Sequence, residues 1–145
     1  MEIMANKNLT NDYTGMYKVR DLKLEDHKFI LATFLKGLYY GDSWFSLIPK
    51  DIFMENYKKI AEALLATQIV QVACLADDED VILGYSILGN NYQTIHWVFV
   101  KAAWRNGGIA KHLTPRFPTA ITHLTTLGKV LISKFPTAQF NPFII

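Results

Sequence analysis

Arg105, Gly107, Gly108 and Lys111 fall within one short stretch of the run VFVKAAWRNGGIAKHL at 98–113. The stretch leaves an apolar, β-branched segment and enters a segment with helical spacing. A strand that delivers a glycine-rich turn to a helix start can bind an anion. The first helical turn leaves main-chain N–H groups unpaired, and the helix dipole adds positive potential there. Glycine admits unusual backbone angles and lets a ligand approach the main chain. Gly107, Gly108, Ile109 and Ala110 would offer the N–H groups, with Arg105 and Lys111 adding charge. The plainer reading of the same glycines is a turn. The Gly-x-Gly-x-x-Gly spacing of dinucleotide-binding folds is absent, as is the Gly-Lys-Ser/Thr ending of a Walker loop.

Several elements must position this turn. The N-terminal residues 1–15 are polar and aperiodic, which suits a flexible tail before a domain at 16–145. MYKVRDL at 16–22 alternates as a strand. From about Asp26, Phe29, Ile30, Phe34, Leu35 and Leu38 fall at helical spacing, and Gly41 is placed to stop the helix. Pro49 opens a second helix at 49–66. Strands follow at 68–76, 81–89 and 93–100, with DDED (77–80) and NNY as turns, giving an antiparallel meander. After the glycine turn, Pro115 and Pro118 should end the helix near Leu113. TAITH (119–123) reads as a short strand. Leu124, Leu127, Leu131 and Phe135 predict a helix over 125–135, and AQFNPFII (138–145) closes as a strand that Pro142 confines to an edge or bulge. The fold class is a single α/β domain with a mixed, largely antiparallel sheet.

Composition narrows the functions. Half of the 145 residues are apolar, and no apolar run approaches the ~20 residues of a membrane span. No charged segment precedes an apolar one at the N-terminus, so neither a secretory signal nor a membrane partner is expected, and the location expected is cytoplasmic. Cys74, the single cysteine, sits in a strand-like VQVACLA and reads as a buried, inert thiol. His27, His112 and His123 show no metal-ligand spacing, so no metal is expected. Charge is uneven: residues 1–100 carry nine Lys/Arg against thirteen Asp/Glu, whereas 101–145 carry six and none. Such a basic third suits a phosphate-bearing partner or simply a solvated face.

RNGGIA at 105–110 resembles the Arg/Gln-x-x-Gly-x-Gly/Ala signature of the GNAT-type N-acetyltransferases, and TIHWVFVKAAWRNGGIAKHL is similar to that family's fourth strand, loop and third helix. The order β1-α1-α2-β2-β3-β4-α3-β5-α4-β6 read above also follows the family's fold. The resemblance implies acetyl transfer from acetyl-CoA to an amine. It implies that Arg105, Asn106, Gly107, Gly108, Ile109, Ala110 and Lys111 hold the pyrophosphate, and that Val98 and Val100 give main-chain contacts to the pantetheine arm where strands four and five splay apart.

The chain departs from the family pattern at the acid and base. QTIHWVFV carries no carboxylate where many members place a glutamate, and Ile132 aligns where many place a tyrosine, with Ser133 a poor substitute. His96, expected to share a strand face with Thr94 and Val98, is one candidate base, although a histidine beside Trp97 also reads as a packed residue. Asp42 is the other. In the loop YYGDSWFSLI, Tyr39, Tyr40, Trp44 and Phe45 either wall an acceptor pocket, with Tyr40 and Trp44 touching substrate, or cap the core. Three functions follow: an N-acetyltransferase; a non-catalytic CoA-binding or interaction module; and, fitting least, a nucleic-acid-binding protein, since no helix-turn-helix spacing is present. An open sheet edge could be completed by a second subunit, making a homodimer.

Overall fold

The computed structural model describes residues 13–123 and 125–144, without the side chains at 126–128 and 131. Ten regular elements follow in order: β1 (Tyr17–Asp21), α1 (His27–Gly41), α2 (Lys50–Thr67), β2 (Ile69–Leu75), β3 (Asp78–Leu88), β4 (Thr94–Val100), α3 (Ile109–Leu113), β5 (Ala120–Ile121), α4 (Thr126–Lys134) and β6 (Gln139–Phe140). The expected order and fold class are observed. The six strands lie in sequence order across one sheet, antiparallel from β1 to β4 and parallel from β4 to β6.

The apolar stripe of α1 explains its position. Ile30, Phe34 and Leu38 recur at helical spacing, are fully buried, and meet Val72, Tyr85 and Ile87 of the sheet together with Phe53 and Leu64 of α2. Each such side chain contributes about 2 kcal/mol by leaving water. A second cluster joins Ala73, Leu83, Val98 and Val100 to Ile109 and Leu113 of α3, and a third joins Leu88, Ile95, Ile121 and Ala138 beside Ile132 and Phe135. Cys74 is buried in β2, as expected. Among the described residues no helix is long and apolar enough to cross a membrane.

Three local readings change. The acidic run at 77–80 is not a loop: the hairpin turns on Ala76 and Asp77, and Asp78, Glu79 and Asp80 begin β3. Glu79 there faces Lys18 and Lys23, whose ammonium groups lie 3.0 and 3.1 Å from its carboxylate, so opposite charge tolerates acidic residues in a strand. The last strand spans two residues only, because Asn141 turns the chain by accepting the Phe143 amide and Pro142 has no N–H for a ladder. The third change is at the N-terminus. Residues 1–12 lie outside the described residues, but Tyr13, counted in the expected tail, is 1% exposed in the second cluster. Its ring rests 4.9 Å from that of Trp104, and its amide donates to the Gly107 carbonyl at 3.0 Å.

Candidate functional site

The site arises where the sheet opens. β4 and β5 pair over two residues only, Thr94 with Ala120 and Ile95 with Ile121, and the Thr122 amide makes a closing bond to the Ile95 carbonyl at 3.1 Å. β4 then runs on to Val100 while β5 has ended. Beside the uncovered part of β4 lies a cavity of about 560 Å³, within the range of small-molecule sites. Trp97, Val98, Phe99 and Val100 form one wall; Trp104, Arg105, Asn106 and the start of α3 form another. Gly37 and Gly41 of α1 and Thr125, Val130 and Lys134 in and before α4 complete the lining.

Of the residues expected at the cofactor, Val98, Val100, Arg105, Asn106, Gly108, Ile109, Ala110 and Lys111 border this cavity. The two glycines have different tasks. Gly108 has φ +94°, a left-handed angle that side chains resist, and open space where a Cβ would stand. Gly107 is turned the other way: the Tyr13 ring occupies the position its Cβ would need, and it does not line the cavity. The missing side chain at Gly107 makes room for Tyr13. Asn106 also takes a left-handed angle, φ +63°, which a short polar side chain tolerates. The amides of Gly108, Ile109, Ala110 and Lys111 have no acceptor among the described residues, as first-turn amides do not. α3 is only five residues long, so its dipole is small and these N–H groups carry most of the helix's contribution.

The electrostatics of the lining have one sign. Among the described residues Arg105, Lys111 and Lys134 border the cavity and no carboxylate does. Arg105 is held in place by its Nε, which donates to the Val100 carbonyl at 2.8 Å. Two other cations of the basic third stand against rings, Lys101 over Phe29 and Arg116 over Phe117.

Neither expected base borders the cavity. Ile87 pairs with Trp97 and Leu88 with Ile95, which leaves His96 opposite no residue at a bulge in β4. The strand alternation that would have set His96 beside Val98 is broken there. His96 is 2% exposed, and its ring nitrogens contact Thr122 Oγ1 at 3.0 Å and Gln68 Oε1 at 3.2 Å. Burial holds its pKa below the usual histidine value. Asp42 follows α1 and accepts the Trp44 and Phe45 amides, shaping the next turn. The aromatic loop divides. Tyr39 is buried and donates to the Ile48 carbonyl at 2.7 Å, and Phe45 packs on the core. Tyr40 and Trp44 are exposed and stand outside the lining of this cavity.

Sequence reading passed over Gly37, Gly41, Trp97, Thr125 and Lys134. A Cβ on Gly37 would meet Trp97 Cζ2 at 2.9 Å, so this glycine admits the indole that walls the cavity. The signal was the pair of glycines one turn apart on an otherwise apolar helix. Sequence reading also missed a pair behind Trp97, buried His123 and half-buried Tyr57. His123 Nε2 lies 2.6 Å from the Tyr57 hydroxyl, and His123 Nδ1 lies 2.9 Å from the His96 carbonyl. Burial lowers the His123 pKa to about 4 and raises that of Tyr57 to about 12, so both are neutral near pH 7.

No protein-family model matches the chain, and no curated protein matches it. Among solved structures it is similar to apo-form YjaB from Escherichia coli, with TM-score 0.45 and 13% identity over 83% of this chain and 67% of that one. It is similar to a structure described as a GCN5-related N-acetyltransferase and class-II aminotransferase from Rhodopseudomonas palustris, with TM-score 0.48 and 17% identity over 68% of this chain and 61% of that one. It is also similar to a possible acetyltransferase from Clostridium difficile 630, with TM-score 0.48 and 14% identity over 90% of this chain and 83% of that one.

Proposed function

We propose that this chain is an N-acetyltransferase, which passes the acetyl group of acetyl-CoA to a primary amine of a small molecule or protein. The observation that carries the reading is the cavity at the opening between β4 and β5, lined among the described residues by three cations, no carboxylate, and the start of α3 with its unpaired amides. A diphosphate matches that lining: the Gly108–Lys111 amides would donate to its oxygens, with Arg105 and Lys111 neutralising charge and Asn106 shaping the turn. Val98 and Val100 would run along the pantetheine arm. The motif at 105–110 and its resemblance to the GNAT-type enzymes point the same way.

In such a reaction the amine nitrogen attacks the thioester carbonyl carbon. The C–N bond forms, the C–S bond breaks, the amine loses a proton and the thiolate gains one. Holding the two reactants together supplies much of the rate enhancement without a dedicated base. Among the described residues the lining holds no carboxylate and no histidine, which favours a second reading, a CoA-binding module without turnover. Thermal denaturation with acetyl-CoA tests the common part. Ligand at a hundredfold its Kd adds about 2.7 kcal/mol, several degrees in Tm for a domain of this size. An unchanged Tm at millimolar acetyl-CoA would refute both readings. Release of free CoA with a panel of primary amines then separates enzyme from binding module.

A further inference from the structure

We infer that His123, locked in one tautomer by Tyr57, is a positioning residue that holds the β4 bulge peptide at the opening of the sheet. The inference rests on the acetyl-CoA reading above and names the device that would aim the acetyl group's amide donor.

Main-chain pairing between β4 and β5 ends at the Thr122 amide and the Ile95 carbonyl. The next carbonyl on β4 belongs to His96, the residue that the bulge leaves without a partner opposite. Trp97 keeps its pairing with Ile87 of β3, but on the β5 side the His96 carbonyl has no strand partner. Here a side chain takes over from the ladder: His123 Nδ1 approaches the His96 carbonyl at 2.9 Å. A carbonyl only accepts, so the proton is on Nδ1 and the Nε2 lone pair is left to accept. The Tyr57 hydroxyl supplies the matching donor at 2.6 Å, from α2. Thr122 Oγ1, 2.9 Å from His123 Nδ1 and 3.0 Å from His96 Nδ1, shares the His123 N–H as a second acceptor and donates its own proton to His96 Nδ1, which leaves His96 Nε2–H to donate to Gln68 Oε1. Every proton in the chain from Tyr57 to Gln68 then has one direction. The rings of Phe34, Tyr57 and Trp97 stand edge-on around His123 and keep its plane fixed.

The peptide so held joins His96 to Trp97, and Trp97 is the first β4 residue to line the cavity. Its orientation sets where the following amides point. A thioester carbonyl entering the opening would meet an N–H already aimed, the arrangement that stabilises charge developing on that oxygen. The role needs a neutral imidazole with its proton on Nδ1, and the pair provides both. An apolar residue at 123 would pack equally well against three aromatic rings but could not hold the carbonyl.

The test compares acetyl-CoA with CoA, which lacks the carbonyl, by calorimetry on the whole chain. The parent should bind acetyl-CoA about five- to tenfold more tightly, the worth of one added hydrogen bond. In H123L the preference should vanish while affinity for CoA stays within twofold, and Y57F should show a partial loss. H123N should retain it, because Asn Nδ2 occupies the place of His Nδ1 and donates to the same carbonyl. If H123L does not fold, Y57F and H123N decide the matter. A parent with no preference, or a preference untouched in Y57F or H123L, overturns the inference alone. A parent that binds neither ligand overturns the acetyl-CoA reading and the inference with it.

Discussion

The ring of Tyr13 fills the space that a side chain on Gly107 would need, and the Tyr13 amide donates to the Gly107 carbonyl. The glycine turn is thus braced from behind by a residue more than ninety positions earlier. Gly107→Ala should cost at least ~2 kcal/mol through overpacking, and Tyr13→Ala about 3 kcal/mol through the lost ring. Because removal of the ring makes room for the methyl group, the double variant should be less destabilised than the two single losses added together. Urea unfolding of all four proteins measures this, and strict additivity would disprove the contact.

Gly108 faces the cavity with a left-handed backbone and open space around its Cα. Gly108→Ala should cost about 1–2 kcal/mol of stability for the backbone angle alone. Gly108→Asp carries the same strain and adds a carboxylate against the proposed phosphates. Its acetyl-CoA affinity should fall at least tenfold below that of Gly108→Ala. Equal Kd values for the two variants in calorimetry would remove the phosphates from this turn.

Lys111 and Lys134 reach the cavity from α3 and α4. If both meet phosphate oxygens, Lys111→Ala and Lys134→Ala should each weaken acetyl-CoA several-fold at low salt, and the loss should shrink as added salt screens the charges. Titrations at 20 and 300 mM NaCl check the trend. A loss independent of salt would assign these side chains to packing.

Arg20 grips Asp26 with two hydrogen bonds, 2.7 and 2.9 Å, both side chains largely buried. Burial pushes the Asp26 carboxyl up, but Arg20 and the Lys23 amide outweigh it and hold the pKa below the ordinary aspartate value. A carboxylate with a depressed folded pKa stabilises above its unfolded pKa and loses that contribution as pH falls through the folded value. Asp26→Asn should therefore cost about 3 kcal/mol at pH 7 by leaving Arg20 unpaired. The gap from the parent should narrow below pH 4, measured by urea unfolding at both values.

His123 gives a pH effect of its own. Burial lowers its folded pKa to about 4, below the unfolded value near 6.5, so the unfolded chain binds a proton first. The parent should lose stability progressively between pH 6.5 and 4, by up to ~3 kcal/mol, and H123N should show a flatter profile over that window. Identical profiles would place the imidazole in water.

The sequence by itself determined the element order, the single mixed sheet and the turn at 105–110, because these follow from local causes: apolar spacing in α1 and α2, alternation in β2–β4, prolines and glycines at the breaks. It also marked half of the cavity lining, since Val98 to Lys111 is one continuous stretch. Only the tertiary structure decided which glycine borders the cavity and which makes room for Tyr13, as both look alike in RNGGIA. It alone set His96 at a bulge and outside the cavity lining, because no local pattern announces where register will slip. It alone joined Tyr57 of α2 to His123 beyond β5, a contact 66 residues apart along the chain. Propensity and periodicity act over a few neighbours, whereas a site at a sheet opening is made by segments that meet only once the core has formed.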